Sequence, residues 1–371
     1  MAIVDDFIEL QTCLGADEFD GARKTAPKDA IESLAEYVVK VPTRFLSIGG
    51  TNMGMWNPVL PIMQYDLATK KWSESSFPSI NIVSVGGFSS IQAVMLPGQK
   101  FMVCSVRYNL GTNKDSPHLA KAFIFNPYAT DPTRIFGRVW GPGEKVYACR
   151  DGASLLSLSG GRVLRLGGVN SAYDPALAAW GNPQNMIHDV KRDDWKSLEL
   201  DIPLKINMAC AVLQSGEILV TGGSFVEEDR IIRSPRLNLE NSDQCYIIDP
   251  TLTTVRPTGS MIRKRQQHAA CVMQNGHVFV CGGVNEDEQF LVTCEEYDPA
   301  TGTWSILPDM PVVMIHHTCT LTKDGTIFIA GGDARPIGAT MMYDPSTKDF
   351  TPLEKFPDDN IRGFKVVPFY D

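Results

Sequence analysis

The apolar residues of this chain fall into short runs rich in β-branched and aromatic side chains, separated by turn-forming residues. Runs of this length and composition predict β-strands rather than helices. Five of them end in a glycine doublet: FLSIGG at Gly50, VLRLGG at Gly168, ILVTGG at Gly223, VFVCGG at Gly283 and IFIAGG at Gly332. The pattern therefore predicts a protein built almost entirely from short strands.

The doublets recur at a regular interval, which identifies an internal repeat. The interval from Gly50 to Gly168 is twice the usual spacing, and FMVCSV at 101–106 fills it. Cys104 and Ser105 stand there in place of the two glycines. The chain thus contains six units of 49 to 63 residues.

Each unit carries further turn signals on both sides of the doublet. Upstream turns such as Asn275-Gly276 and Asp324-Gly325 are typical of tight hairpins. Downstream, an aromatic or apolar residue precedes Asp or Asn, which favours a turn, and in most units a Trp or Phe follows. The six downstream pairs are Tyr65-Asp66, Phe125-Asn126, His188-Asp189, Ile248-Asp249, Tyr297-Asp298 and Tyr343-Asp344. Each unit is therefore predicted to form four antiparallel strands.

The ordered series of doublet, Tyr-Asp-Pro and Trp resembles the kelch motif over roughly residues 43–370. The resemblance implies an all-β, six-bladed propeller with four strands per blade, related to the central domain of galactose oxidase. We expect residues 1–42 to form an N-terminal extension and residues 43–371 to form the propeller. No dinucleotide-binding or phosphate-binding glycine motif occurs in the sequence.

The closing of the ring depends on where the inner strand of the first blade originates. Residues 25–39 carry Ile31, Leu34 and Val38 at helical spacing, which predicts a short helix there. We therefore expect the C-terminal segment Gly363–Phe369 to supply the missing strand, because it parallels the segment that leads into the last complete repeat. The alternative is that residues 36–41 supply it.

The composition predicts a soluble, cytoplasmic globular protein. Charged residues make up 21% and hydrophobic residues 43% of 371 residues, and the net charge of −9 argues against general nucleic-acid binding. No apolar stretch is long enough for a membrane helix, and the N-terminus does not resemble a signal peptide. The nine cysteines form no CxxC pair. We interpret Cys210, Cys271 and Cys319, at matching places in three repeats, as small strand residues with reduced thiols.

Basic residues concentrate in the loops that a propeller would gather on one face, around the mouth of its central channel. Arginine binds carboxylates and phosphates through two parallel hydrogen bonds, so such loops suit an acidic peptide or a small anion. The candidate cations are Arg107, Arg150, Arg233, Arg236, Arg263, Arg265, Arg335 and Arg362. The alternative is that several of them pair with acidic residues of the same loops, including Glu286 and Glu288.

Aromatic residues in the same loops are candidate anchors for a protein partner, since Trp and Tyr contribute strongly to interfaces. Trp56, Tyr108 and Trp180 are the candidates of this kind. Each could instead fold back over the rim of the propeller.

Two classes of function are compatible with these features. The first is a non-catalytic adaptor or scaffold that binds a protein or acidic peptide, and we expect it to need no cofactor, metal or catalytic residue. The second is an enzyme or sensor for a small anionic ligand such as a sugar acid, with proton transfer at Arg150-Asp151, Arg265 with His268, or His316-His317. The first is favoured, because His268 and His317 occupy a repeat position at which kelch sequences often carry histidine, and His316 and His317 would point to opposite faces of a strand.

Overall fold

The computed structural model describes residues 42–52, 61–77, 89–96, 100–107, 120–126, 136–140, 152–168, 185–203, 205–225 and 240–369. These residues form strands and turns, with no helix among them. No helix in the described ranges is therefore long and apolar enough to cross a membrane. The predicted N-terminal helix and the alternative closing strand at 36–41 lie outside the described residues.

Thirty strands make up the described chain. The first twelve are β1 (Arg44–Ile48), β2 (Thr51–Asn52), β3 (Met63–Asp66), β4 (Lys71–Glu74), β5 (Ser89–Leu96), β6 (Lys100–Arg107), β7 (Ala120–Phe125), β8 (Phe136–Trp140), β9 (Ser154–Leu158), β10 (Arg162–Leu166), β11 (Asn185–Asp189) and β12 (Asp194–Leu198). The others are β13 (Lys205–Ile206), β14 (Ala209–Val212), β15 (Ile218–Thr221), β16 (Ser224–Phe225), β17 (Cys245–Ile248), β18 (Val255–Thr258), β19 (Ala269–Val272), β20 (Val278–Cys281), β21 (Cys294–Asp298), β22 (Thr303–Leu307), β23 (Val313–Ile315), β24 (Thr318–Leu321), β25 (Ile327–Ala330), β26 (Asp333–Arg335), β27 (Met341–Asp344), β28 (Asp349–Pro352), β29 (Ile361–Arg362) and β30 (Lys365–Phe369).

Six four-stranded antiparallel sheets form the six blades of a β-propeller. From the channel outwards they are β30-β1-β3-β4, β5-β6-β7-β8, β9-β10-β11-β12, β14-β15-β17-β18, β19-β20-β21-β22 and β24-β25-β27-β28. We number them blades 1 to 6. Their innermost strands contact one another in sequence around the channel, and β24 of the last blade contacts β30 of the first. The predicted six-bladed fold is confirmed.

The ring closes through the C-terminal strand. β30 lies antiparallel to β1, with Arg44 opposite Phe369 and Ile48 opposite Lys365. A short pair, β2 with β29, extends this junction. Phe364, Val366 and Phe369 are almost fully buried there, so the closing strand carries much of the apolar packing of blade 1.

The core is divided among the seams between blades, because alternate residues of each strand point to opposite neighbours. Six hydrophobic clusters of described residues correspond to the six seams. On β1, Phe45 faces blade 6 and Leu46 faces blade 2. Phe45 stacks on Phe328 of blade 6 with ring centroids 4.2 Å apart. Stacking of blades therefore buries faces that one sheet alone would expose.

The glycine doublet lets two backbone segments approach the end of the second strand. At Gly282, with φ +65°, a Cβ atom would lie 2.6 Å from the carbonyl oxygen of Met314 in the next blade. At Gly283, with φ +93°, it would lie 2.5 Å from the carbonyl oxygen of Gln266 in the same blade. In blade 2, which lacks the doublet, β6 continues without interruption to Arg107 and pairs with β5 over eight residues. The doublet thus ends the strand where neighbouring backbone must pass.

The Asp residues after the third strands cap the outer turns, as the sequence predicts. The Asp249 carboxylate accepts backbone N–H groups from Thr251 and Thr253 at 2.9 and 2.8 Å. Asp298 and Asp344 accept equivalent bonds from Ala300 and Ser346. The hydrogen bonds lower the pKa of these carboxyl groups. These turns and the described inner hairpin turns lie on one side of the blades, which we call the turn face. The described loops that follow the second strands, such as 284–293 and 333–340, lie on the opposite side, which we call the loop face.

Candidate binding site at the channel mouth

A belt of hydrogen bonds joins the loops that lead into the innermost strands. Asn207 N–H donates to the Gly152 carbonyl at 2.7 Å, Gln267 N–H to the Asn207 carbonyl at 3.0 Å, and His316 N–H to the Gln267 carbonyl at 2.8 Å. The Lys365 ammonium completes the series by donating to the His316 carbonyl at 2.7 Å. The belt connects blades 3, 4, 5, 6 and 1 at the mouth of the channel.

Three residues of the belt have backbone conformations that residues other than glycine rarely adopt. Asn207, Gln267 and His316 have φ values of +56°, +59° and +54°. A left-handed backbone conformation at a non-glycine residue is uncommon and costs energy. Its recurrence at the equivalent residue of blades 4, 5 and 6 indicates that the hydrogen bonds of the belt require it. Among these three residues, only Asn207 offers a local sequence signal for the conformation, because Asn tolerates positive φ better than Gln or His.

Arg265, a predicted binding residue, is a structural cation. Its side chain is completely buried, and its guanidinium forms an ion pair with Glu295 at 2.6 Å. The same group donates to the carbonyls of Gly282 and Thr293, both at 2.8 Å. Its terminal nitrogens are committed within blade 5, so we leave Arg265 out of the proposed binding surface.

Lys205 occupies the matching position in blade 4 and is also buried. Its ammonium donates to the Ser242 hydroxyl at 2.8 Å and lies 4.7 Å from the ring centre of Phe225. Desolvation lowers the pKa of Lys205 to about 8. Neither this cation nor Phe225, an aromatic residue of the predicted loop face, is presented freely to solvent.

The neighbouring cations of blade 5 sit among acidic residues. Arg263 is exposed, whereas Lys264 lies 3.2 Å from Glu286 and 3.8 Å from Glu240. Asp287 and Glu288 are exposed in the same loop as Glu286. The loop face is therefore of mixed charge at blade 5, which corresponds to the alternative interpretation of its basic residues.

A basic cluster lies instead at the junction of blades 6 and 1. Arg335 is exposed, and its guanidinium lies 5.1 Å from the ring centre of Phe290. Arg362, 37% exposed, lies 3.8 Å from Asp333, the residue two positions before Arg335 on β26. Lys365 follows on β30 beside the belt. We call Arg335, Arg362 and Lys365 the mouth cluster; Asp333 is the acidic residue paired within it.

The mouth cluster contains buried polar atoms that retain hydrogen-bonding capacity. The Nε of Arg362 and the Oδ1 of Asp333 have no hydrogen-bond partner within the described structure. Desolvation lowers the pKa of Lys365 to about 8, so an anion beside it would favour the protonated form. The cluster is thus a place where a carboxylate or phosphate would gain charge-assisted hydrogen bonds.

The remaining candidates are only partly placed by the structure. Arg107 is the last residue of β6, opposite Ser89, at the end of the strand that leads to the loop face. The other predicted binding residues lie outside the described residues: Arg150, Arg233, Arg236, Trp56, Tyr108 and Trp180.

The candidate proton-transfer residues that the structure describes are mostly buried within the blades. Arg150 and Asp151 lie outside the described residues, and Arg265 and His268 are both buried. His268 donates or accepts a 2.8 Å hydrogen bond with Thr221, and desolvation lowers its pKa. His317 is likewise buried, with Nε2 3.2 Å from the sulfur of Cys281. Within the described ranges, no group of three metal-ligating side chains is arranged to hold a metal ion.

Comparisons with known proteins agree with this architecture. A family model described as the Kelch motif matches residues 267–311, which span most of blade 5. Kelch-like protein 38 of Rattus norvegicus is 24% identical over 185 residues, covering 49% of this chain and 30% of that protein. A putative F-box/kelch-repeat protein of Arabidopsis thaliana is 28% identical over 167 residues, covering 44% of this chain and 46% of that protein.

A third relative, the Kelch-like protein terF of Aspergillus terreus, is 30% identical over 105 residues, covering 25% of this chain and 22% of that protein. Each match spans less than half of the relative, so the activities of the whole relatives do not transfer directly. Together, the matched motif and the six blades built on the same doublet and turn pattern support the predicted resemblance to kelch-repeat β-propellers.

Proposed function

We propose that this protein is a non-catalytic binding module that recognises a protein partner through its loop face, with an acidic segment of the partner at the mouth cluster. The observation that carries the proposal is the position of Arg335 and Arg362 beside a single paired carboxylate, Asp333, at the rim of the channel. A partner carboxylate there would gain hydrogen bonds to arginine that are stronger than neutral ones.

Aromatic and apolar side chains of blade 5 supply a second part of the proposed surface. Phe290 lies under the guanidinium of Arg335, and Ile262 is 49% exposed beside Arg263. Interfaces combine buried apolar or aromatic anchors with a polar rim, and arginine is enriched among residues that dominate binding energy. We therefore expect the partner to place an acidic residue at Arg335 and an apolar residue towards Ile262.

The test is affinity capture from lysate of the source cell, followed by quantitative binding with the partner identified. Arg335→Glu should lower affinity about tenfold or more, since a hydrogen bond between charged groups is worth roughly 1.5–3 kcal/mol. Arg263→Glu should have a smaller effect, because Arg263 lies outside the mouth cluster and its neighbour Lys264 pairs with Glu286 and Glu240. Binding of the wild-type protein should weaken as salt increases.

The matched control is Arg192→Glu, which makes the same charge reversal at a residue whose side chain is 74% exposed on the turn face. This variant should bind like the wild type. Equal losses in Arg335→Glu and Arg192→Glu would show that only net charge matters, and unchanged binding in Arg335→Glu would contradict the proposed site.

A second candidate function is recognition of a small anion, such as a sugar acid, at the same cluster. The specific observation in its favour is the lowered pKa of Lys365, about 8, beside the channel. Binding of an anion would raise that pKa, so the complex would take up protons near pH 8. A thermal-shift comparison of uronic acids with neutral sugars tests it: stabilisation by the acids that disappears in Lys365→Met supports this function, and equal melting temperatures contradict it.

A further inference from the structure

The outermost strand of blade 5 has an edge that differs from the edges of the other blades. β22 is the last strand of its described sheet, so one of its edges has no neighbouring strand there. Natural proteins protect such edges with charged residues or proline, and the sequence of β22, TWSIL, contains neither. The other outermost strands each contain at least one: β4 is KWSE, β8 is FGRVW, β12 is DWKSL, β18 is VRPT and β28 is DFTP. Among the outermost strands of the six described blades, β22 alone therefore lacks these protections.

This unprotected strand presents an apolar side chain to solvent. Ile306 is 67% exposed, and Ile262 is the one other large apolar residue that is exposed in the described part of the chain. Ile262 lies in a loop, whereas Ile306 lies on β22, opposite Glu295 of β21. Strand register gives the equivalent residues of blades 1, 3, 4 and 6, which are Glu74, Ser197, Pro257 and Pro352. An exposed apolar residue at this position is thus a property of blade 5.

The prolines at the equivalent position indicate which way the backbone of residue 306 points. Proline has no N–H, so the sheets of blades 4 and 6 form without an N–H donor at that position. Residues that bond to a given neighbouring strand alternate with residues that do not along an antiparallel strand. The N–H and C=O groups of Trp304 and Ile306 therefore point away from β21, towards the open edge of blade 5.

The strand is complementary to a second copy of itself. When two β22 strands lie antiparallel across a two-fold axis at Ser305, Thr303 of one copy is opposite Leu307 of the other, and Trp304 is opposite Ile306. Aromatic residues opposite β-branched residues stabilise antiparallel pairs. The outward N–H and C=O groups of Trp304 and Ile306 also meet in this register, so each such pair exchanges two hydrogen bonds. The same five residues therefore satisfy both edges.

We propose that this protein forms a symmetric dimer in which the β22 strands of two copies pair edge to edge. The pairing joins two blades into one continuous sheet and covers Ile306 in both copies. A second copy is the occupant that the strand favours, because neither copy brings a charged residue to the junction and the register pairs apolar with aromatic side chains. The proposal does not involve the mouth cluster, and its failure would leave the proposed function untouched.

Sedimentation equilibrium of the full chain over a range of about 1 to 300 µM measures this self-association. We expect a monomer–dimer equilibrium with a Kd on the order of 10 µM, because one strand from each copy buries less area than a standard interface. Added salt should not weaken the dimer, because β22 is uncharged and the net charge of −9 makes two copies repel at long range. Binding of an acidic partner at the mouth cluster should instead weaken with salt, so the two interactions are distinguishable.

Proline at position 306 removes both the apolar side chain and the N–H at the open edge. Ile306→Pro should fold, because blades 4 and 6 carry proline at the equivalent position, and it should weaken self-association about tenfold or more, since a symmetric dimer contains each substitution twice. Ser197→Pro makes the same change at the equivalent exposed position of blade 3 and should dimerise like the wild type. Ile306→Glu, which introduces the residue found at position 74 of blade 1, should weaken the dimer as well and replaces Ile306→Pro if circular dichroism shows the latter unfolded.

A cysteine at the two-fold axis tests the register directly. Ser305 lies opposite its own copy in the proposed pairing, at a non-hydrogen-bonded site where the Cα atoms are about 4.5 Å apart. A separation of about 4.4–6.8 Å suits a disulfide. Ser305→Cys should therefore give a covalent dimer under copper–phenanthroline oxidation, and dithiothreitol should reverse it. Thr303→Cys is the control and should not cross-link above the wild-type background, because Leu307 of the second copy lies opposite it.

Three results would overturn the proposal. The first is a wild-type chain that remains monomeric up to about 300 µM, a concentration at which even a weak specific contact associates. The second is an equal loss of self-association in Ile306→Pro and Ser197→Pro. The third is cross-linking of Thr303→Cys as readily as Ser305→Cys. A monomeric chain that binds a synthetic peptide of residues 301–309 would instead assign the edge to an extended segment of another protein.

Discussion

Replacement of Arg265 by leucine tests the assignment of this residue as a structural cation rather than a ligand-binding one. The variant removes one member of a buried ion pair and leaves the Glu295 carboxylate, whose side chain is 2% exposed, without its charged partner. It also leaves the carbonyls of Gly282 and Thr293 without their donors. Only the backbone N–H groups of Ile262 and Arg263 remain to stabilise the carboxylate.

The expected cost is about 3–5 kcal/mol, which is typical of removing one partner from a buried ion pair. That cost is a large part of the total stability of roughly 5–15 kcal/mol for a domain. Urea unfolding followed by tryptophan fluorescence measures it. Arg263→Leu, two positions earlier and exposed, is the matched control and should change stability by less than about 0.5 kcal/mol.

A second substitution separates lost charge balance from lost packing. Arg265→Leu/Glu295→Gln removes the unpaired charge but keeps an acceptor for the two backbone N–H groups, so it should be more stable than Arg265→Leu alone. The reasoning is refuted if Arg265→Leu costs less than about 1 kcal/mol, or if the Glu295→Gln change brings no recovery. Because Arg265 is structural, tests of binding should vary Arg335 or Arg263 and leave Arg265 intact.

Three further predictions follow from the closing strand, the belt and the glycine doublet. A chain that stops at residue 359 loses five buried apolar side chains of the closing segment, and the burial of each contributes about 1.5–3 kcal/mol to stability. The shortened chain should therefore lose the near-ultraviolet circular dichroism that reports fixed side-chain packing. An unchanged melting temperature would contradict this prediction. Desolvation and Lys365 lower the pKa of His316 from 6.5 to about 3, so the free energy of unfolding should fall as the pH drops from about 6.5 towards 3. In urea unfolding, the variant His316→Gln, which carries the residue found at the equivalent position 267, should show a weaker dependence of stability on pH. Gly282→Ala should lower the free energy of unfolding in urea by about 2 kcal/mol or more, because Gly282 has a φ of +65° and lies close to the Met314 carbonyl. Gly160→Ala is the control and should lower it less, because nothing lies within 4 Å of the added Cβ atom. Equal losses of stability would contradict the close-approach argument.

The sequence predicted the fold well because its signals are local and repeated. Glycine doublets, Asp-capped turns and hairpin turns each depend on a few adjacent residues, and six copies fix the number of blades. The parallel between the C-terminal segment and an earlier repeat likewise pointed to the strand that pairs with β1. These features require no knowledge of how the units pack.

The candidate site was harder to predict because burial and pairing of a charge depend on distant residues. Arg263 and Arg265 look alike in sequence, yet of their two side chains only that of Arg265 pairs with Glu295, thirty residues later, inside the blade. The belt was missed because positive φ leaves little trace in residue type at Gln267 and His316. Cys271 pairs with Phe279 and Cys319 with Ile329, so the one-residue difference in their spacing to the doublet turns them towards opposite sides of their blades, which only the strand register makes plain.

The pairing of β1 with β30 has a consequence for the synthesis of the protein. The partner of β1 follows it by roughly 320 residues, so at about 5–20 residues per second the ribosome needs on the order of tens of seconds to produce it. During that time the nascent first blade presents an unpaired strand edge, which is a template for association with other chains. Blades 2 to 6 each receive all four strands within one stretch of chain, so their folding can precede closure. Emergence of β30 from the ribosome, rather than assembly of any single blade, therefore limits when the edge of blade 1 becomes protected against aggregation.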